Sequence, residues 1–194
     1  SGEFSKIESS LESIKHLDSL PIDIKYLYAV SKSLNPKSKK KDLIIASYFF
    51  EKVYVNNKQN LEPFYNLILT SIKSASFEIL EPHIIEEYKK NKKDPKILEG
   101  LAKMYTFYGN MVAASFYYLE LIKIKSNYPE AWRGLLVSLN YHDKVSQSDY
   151  LRYCKKFDQF PNKELKKLNN RIIEGKIKVG FLSPDFKNHS VSFF

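Results

Sequence analysis

The sequence predicts a mostly α fold, a solenoid of stacked helical hairpins followed by the first strand of an α/β domain. Three observations predict it. Apolar residues recur at three- and four-residue steps through most of the first 175 positions, the stripe of amphipathic helices. One helical hairpin starts again 34 residues later. From Lys176 the period changes, and Ile177, Val179, Phe181 and Leu182 form a short β-rich run.

The clearest hairpin comes first. Its opening stripe is Ile97, Leu98, Leu101, Met104, Tyr105 and Tyr108, broken by Gly109-Asn110. A second stripe through Met111, Ala114, Phe116, Tyr117, Leu121 and Ile124 ends at Ser126-Asn127-Tyr128-Pro129, where proline cannot continue the helix. Pro95 and Pro129 are 34 apart, and the same shift matches Leu98 with Trp132, Gly100 with Gly134 and Leu101 with Leu135. A helix-turn-helix unit at this period resembles the tetratricopeptide repeat, in which no pair buries its apolar face alone. Leu98, Leu101, Ala102, Tyr105, Gly109, Ala114 and Tyr118 fall where that repeat expects large, Leu, small, Tyr, Gly, Ala and aromatic residues.

Upstream, residues 62–72 and 82–88 read as a preceding hairpin, with Phe64 and Leu67 aligned on Leu98 and Leu101 and Pro82 expected to shorten the second helix. Residues 22–34 and 41–55 read as another, and residues 6–17 as a capping helix, giving about three hairpins across a repeat region of residues 6–140. Residues 141–175 read as a helical linker, with helices over 145–157 and 163–173. Residues 176–194 open an α/β domain that stops after one strand, and a lone strand needs a neighbour for its backbone groups.

Composition bounds the function classes. A chain of 194 residues holds one sizeable core or two small domains, domains usually having roughly 100–200 residues. With 43% hydrophobic and 27% charged residues it is globular, and six Gly and eight Pro without a triplet period exclude a collagen-like chain. The single cysteine, Cys154, excludes an intrachain disulfide framework and reads as a reduced thiol. No apolar run reaches the ~18 residues of a membrane span, and Ser1-Gly2-Glu3-Phe4 has neither part of a signal peptide. The expectation is a cytoplasmic protein with no membrane partner, residues 1–5 being a cloning scar and terminus. The net charge of +9 invites a nucleic-acid reading, but only Arg133, Arg152 and Arg171 are arginines. Lysine lacks the planar fork of bidentate phosphate or guanine recognition, and the runs at Lys37–Lys41, Lys89–Lys93 and Lys166-Lys167 read as solvated loops and helix ends.

The segment after the predicted strand carries the candidate chemistry. Ser183-Pro184-Asp185 closes the strand, and Asp185 and His189 would lie past its carboxyl end, where open α/β sheets bind ligands. The imidazole of His189 can accept a proton near neutral pH, and Asp185 could orient it or cap a following helix. A turn aspartate and a surface histidine are the plainer readings. The run from Gly180 to Ser190, with Gly180, Phe181, Ser183, Pro184, Asp185, Phe186 and His189 in order, resembles the first catalytic strand and loop of the O-linked N-acetylglucosamine transferase family and its SPINDLY-like members. Residues Gly134–Asp143 and the helix with Tyr153 and Phe157 resemble that family's link from repeats to catalytic region. The resemblance implies an inverting, metal-independent GT-B transferase that moves a sugar from a nucleotide donor to Ser or Thr of proteins. It implies UDP-N-acetylglucosamine as donor and no further cofactor, although fucose-using relatives share the motifs. It also implies His189 as catalytic residue, Asp185 and Asn188 as substrate contacts, and repeats that present the acceptor polypeptide. The donor-binding lobe would lie beyond Phe194, so these residues alone are expected to be inactive.

Other constellations are absent from the sequence. His16, His83, His142 and His189 are dispersed, and no paired His or Cys spacing forms a metal site. The competing functional class is a non-catalytic interaction module whose hairpins bind a partner peptide, with oligomerisation open.

Overall fold

A computed structural model describes residues 19–158. Among them it has eight helices: α1 (Ile22–Leu34), α2 (Lys40–Asn56), α3 (Glu62–Ser74), α4 (Glu81–Lys90), α5 (Pro95–Phe107), α6 (Met111–Ile124), α7 (Pro129–Asn140) and α8 (Gln147–Phe157). They form four consecutive pairs, one more than the periodicity predicts. The added pair is α7 and α8, because Tyr150, Tyr153 and Phe157 pack α8 against the same core as α7. That helix falls in the stretch read as linker. The predicted strand and helices within 6–17 and 163–173 lie outside the described residues.

Proline and short polar side chains set the helix starts. α3, α4, α5 and α7 each carry proline in the first turn, where the missing N–H would have had no helical acceptor. Pro82 therefore opens α4 instead of shortening it. Asp94, Asn110 and Ser146 accept hydrogen bonds from backbone N–H groups of α5, α6 and α8, satisfying orphan first-turn donors.

Packing links pair to pair. α1 packs on α2, α2 on α3, α5 on α6 and α6 on α7, while α3 touches α5 and α5 touches α7. α5 has two buried faces. Ile97, Leu101 and Met104 join a core with Phe50, Tyr54, Phe64 and Leu67, whereas Leu98 and Ala102 join one with Tyr118, Leu121, Trp132 and Leu135. Close contact needs small residues. A Cβ on Gly134 would stand 2.2 Å from Cζ of Tyr118, and one on Gly100 2.6 Å from Cδ1 of Ile84.

The turn between the helices of a pair repeats its backbone as well. Gly109 has φ +75°, and Ala75, 34 residues earlier, has φ 49°. After each, the next N–H reaches back five residues: Asn110 to the carbonyl of Tyr105 at 2.9 Å, and Ser76 to that of Ser71 at 3.1 Å. This closes α5 and α3 with one left-handed residue apiece, where an L side chain costs roughly 1–2 kcal/mol. Ala75 is exposed, so its methyl contributes little packing in return. Ala75→Gly should raise Tm by about 2–4 °C, a stabilisation of about 1 kcal/mol, and Gly109→Ala should lower it comparably. Thermal unfolding followed by circular dichroism checks both.

Candidate partner-binding surface

The first helices of the pairs, α3, α5 and α7, stack on one another and turn one face away from the second helices. At 3.6 residues per turn that face comprises Glu62, Tyr65, Leu69 and Lys73 on α3, and its 34-residue equivalents on α5 are Lys96, Glu99, Lys103 and Phe107. On α7 they are Glu130, Arg133, Val137 and, just past its end, Tyr141. The opposite faces of these helices are buried, so these side chains form one strip across three pairs.

The two ends of the strip differ chemically. Near the helix starts, acidic groups are engaged by phenols: Tyr26 donates to Glu62 at 2.7 Å, Tyr65 to Asp94 at 2.6 Å and Tyr128 to Glu99 at 2.8 Å. Arg133 Nη1 holds Glu130 at 3.2 Å. Near the helix ends, Leu69, Phe107, Val137 and Tyr141 are 53, 51, 49 and 70% exposed. Between them stand Lys73 and Lys103, with no carboxylate among the strip positions of that half. Leu69 and Val137 share one register and Phe107 and Tyr141 the next, one helical turn on, so each of the three helices brings at least one exposed apolar group to this half of the strip, unlike the single exposed hydrophobics normal to any surface.

Two further phenols make similar ties to α4, Tyr54 of α2 to Glu87 at 2.6 Å and Tyr108, just past the end of α5, to Glu81 at 2.9 Å. Burial, and then the bond to a carboxylate, pushes Tyr26, Tyr65 and Tyr108 up to about 12 from the usual 10.0. The same causes raise Tyr54 and Tyr128. Each of these rings thus joins two elements through its hydroxyl.

Three open depressions of about 460, 310 and 430 Å³ are lined respectively by α8 side chains around Leu151 and Arg152, by Tyr26 with Leu27 and Pro63, and by His142 with Tyr150. Among the described residues no three His, Cys, Asp or Glu side chains converge as metal ligands. No described helix is long and apolar enough to cross a membrane. His189, Asp185 and Asn188 lie outside the described residues. Cys154 is a free, half-buried thiol on α8.

Because the folded state holds the phenolic protons more tightly than the unfolded chain does, these tyrosines favour folding fully below pH ~10. Their contribution is lost as pH rises through about 12. Stability should fall over that window, and phenolate absorbance should develop at higher pH in the folded chain than in urea. Coincident titration curves would contradict the ties.

Comparison with known proteins agrees with this architecture. No protein-family model matches the chain, and no curated protein sequence does. A solved structure, MamA AMB-1, superposes with a TM-score of 0.61 at 15% identity over 81% of this chain and 82% of MamA. MamA is a tetratricopeptide-like helical protein, and at that identity the likeness shows the fold: this chain has a tetratricopeptide-like helical repeat.

Proposed function

We propose that this chain is a protein-interaction module whose first-helix strip holds a segment of a partner polypeptide. The observation that carries the reading is the band of Leu69, Phe107, Val137 and Tyr141, exposed within two adjacent registers on successive first helices. Packed helices lie roughly 8–10 Å apart, and an extended chain rises roughly 3.3 Å per residue. A bound extended segment would therefore offer one apolar side chain about every third residue, one for each helix it crosses. Lys73 and Lys103 would favour acidic groups between those anchors. Peptides selected by display against residues 1–194 test this. Leu69→Glu with Val137→Glu should weaken their binding by at least about tenfold, with helix content and Tm unchanged because both sites are exposed. Undiminished binding would remove the strip from recognition.

A second reading rests on the resemblance of Gly180–Ser190 to the O-linked N-acetylglucosamine transferase family. In it the repeats are the acceptor-presenting region of a protein O-glycosyltransferase, His189 acts at the reacting centre, and Asp185 and Asn188 contact substrate. UDP-N-acetylglucosamine and a Ser-containing peptide are its substrates. In a longer chain with the donor-binding lobe, His189→Ala should lower turnover strongly without loss of fold, whereas residues 1–194 alone should transfer no sugar. The described structure favours the first reading, since it supplies a binding strip.

A further inference from the structure

Lysines collect along one edge of the repeat stack, where each second helix ends and the next first helix begins. The loops there are residues 57–61, 91–94 and 125–128. Because the pairs repeat, residues 34 apart occupy equivalent places: Lys58 with Lys92, Lys89 with Lys123, and Asn57 with Asn91. Asn57 and Asn91 cap the ends of α2 and α4. Each turns its Oδ1 inward to accept a backbone N–H two residues on, from Gln59 and Lys93, both at 3.2 Å. Asn60 does the same for the N–H of Glu62 at 3.0 Å. With Oδ1 so engaged, the NH2 group is the donor each amide has left to offer.

The nearby carboxylates are already engaged. Asp94 caps α5 with one oxygen and accepts from Tyr65 with the other. Glu87 accepts from Tyr54 and Lys90, both at 2.6 Å. Glu86 lies 3.1 Å from Lys58 and from Lys90, and Glu120 pairs with Lys123. Among the described residues no carboxylate pairs with Lys89, Lys92, Lys93 or Lys125. A lysine at a helix C-terminus offsets the helix dipole, which accounts for Lys89. It does not account for Lys92 and Lys93, beyond the end of α4 in the turn that leads to α5. The opposite edge differs in having carboxylates among its lysines: Lys37 and Lys39–Lys41 sit in and beside one loop next to Asp42, the following loop brings Glu78 and Glu81, and Lys144 follows Asp143 in the loop after α7.

We propose that this edge is a docking surface for an acidic, Asp- and Glu-rich segment of a partner polypeptide. An edge of ammonium and amide donors takes an acceptor-rich partner, and carboxylates together with peptide carbonyls meet both donor types. Ammonium groups are mobile point charges suited to an irregular run of carboxylates, and these loops hold no arginine for bidentate phosphate or base contacts. The tips Asn57–Asn60, Asn91–Lys93 and Ser126–Asn127 are polar throughout, so nothing at them inserts into a bilayer. The surface is separate from the first-helix strip and does not rest on it.

Fluorescence anisotropy of a labelled poly-glutamate peptide with residues 1–194 tests the proposal. Lys92→Glu with Lys93→Glu should weaken binding about tenfold or more and flatten its salt dependence, as for closely apposed charges. The same charge change on the opposite edge, Lys37→Glu with Lys41→Glu, should weaken it less than about twofold. Leu69→Ser with Val137→Ser should leave it unchanged, which separates this edge from the strip. Circular dichroism establishes that each variant keeps its helices. Equal losses from the two edges, no peptide binding, or tighter binding of duplex DNA or phosphatidylserine vesicles than of poly-glutamate would each overturn it.

Discussion

The structure depends on one packing constraint: a helix between two neighbours must be apolar on two faces. α5 shows it most clearly, with Ile97, Leu101 and Met104 committed to the preceding core and Leu98 and Ala102 to the following one. Neither hairpin can bury its surface alone, so adding a pair to the stack both consumes an apolar face and presents another. The consequence reaches the surface. With the buried residues of the first helices taken up by this sharing, only their remaining stripe is left to face outward, and the repeat brings equivalent stripes side by side.

Close packing fixes the spacing, and directional bonds fix the register. Gly100 and Gly134 let helices approach Ile84 and Tyr118 closer than a methyl would allow. The phenol-to-carboxylate bonds span neighbouring pairs at one atom each, and Asp94 serves two elements at once, as cap of α5 and acceptor for Tyr65 on α3. Hydrophobic contact alone is non-directional, so sliding of one pair along the next is opposed chiefly by such bonds and by interdigitated rings, including the T-shaped contact of Tyr88 with Tyr117 between α4 and α6. The same bonds consume carboxylates that would otherwise neutralise the lysines of the loop edge.

Much of this architecture is written in the sequence as period. The spacing of Ile97 to Tyr108 and of Met111 to Ile124, the prolines at 95 and 129, and the break at Gly109 locate α5, α6 and α7 to within a residue or two. What escapes is what period does not encode. Nothing in alanine announces a left-handed backbone, so Ala75 is visible as a helix end only through its 34-residue alignment with Gly109. Pro82 reads as an interruption until its place in the first turn is known. The α8 positions Tyr150, Tyr153 and Phe157 follow helical spacing, but on a helix with no fully buried residue they also suit a solvated linker. The phenol ties hide for another reason: their partners lie 27 to 36 residues away in either direction. The candidate strip was legible only in part, since its residues look like ordinary exposed positions until the repeat aligns them. The motif around His189 belongs to residues outside those described, and its reading stays with the sequence.

The two surfaces ask for different partners because their donors and apolar groups are segregated. On the strip, Leu69, Phe107, Val137 and Tyr141 remove apolar area from water when covered, and each large side chain is worth roughly 1.5–3 kcal/mol if fully buried. On the loop edge there is almost no such area at the tips, and exposed ammonium groups in water gain little individually. Binding there must come from many weak, long-range contacts that sum along the row, which favours a flexible partner with repeated charges and rapid exchange. A single polypeptide with an apolar motif flanked by an acidic tract could use both, the acidic tract raising the encounter rate and the apolar motif slowing release. The repeat makes that division of labour geometrically simple, since each added pair extends the strip and the edge in parallel.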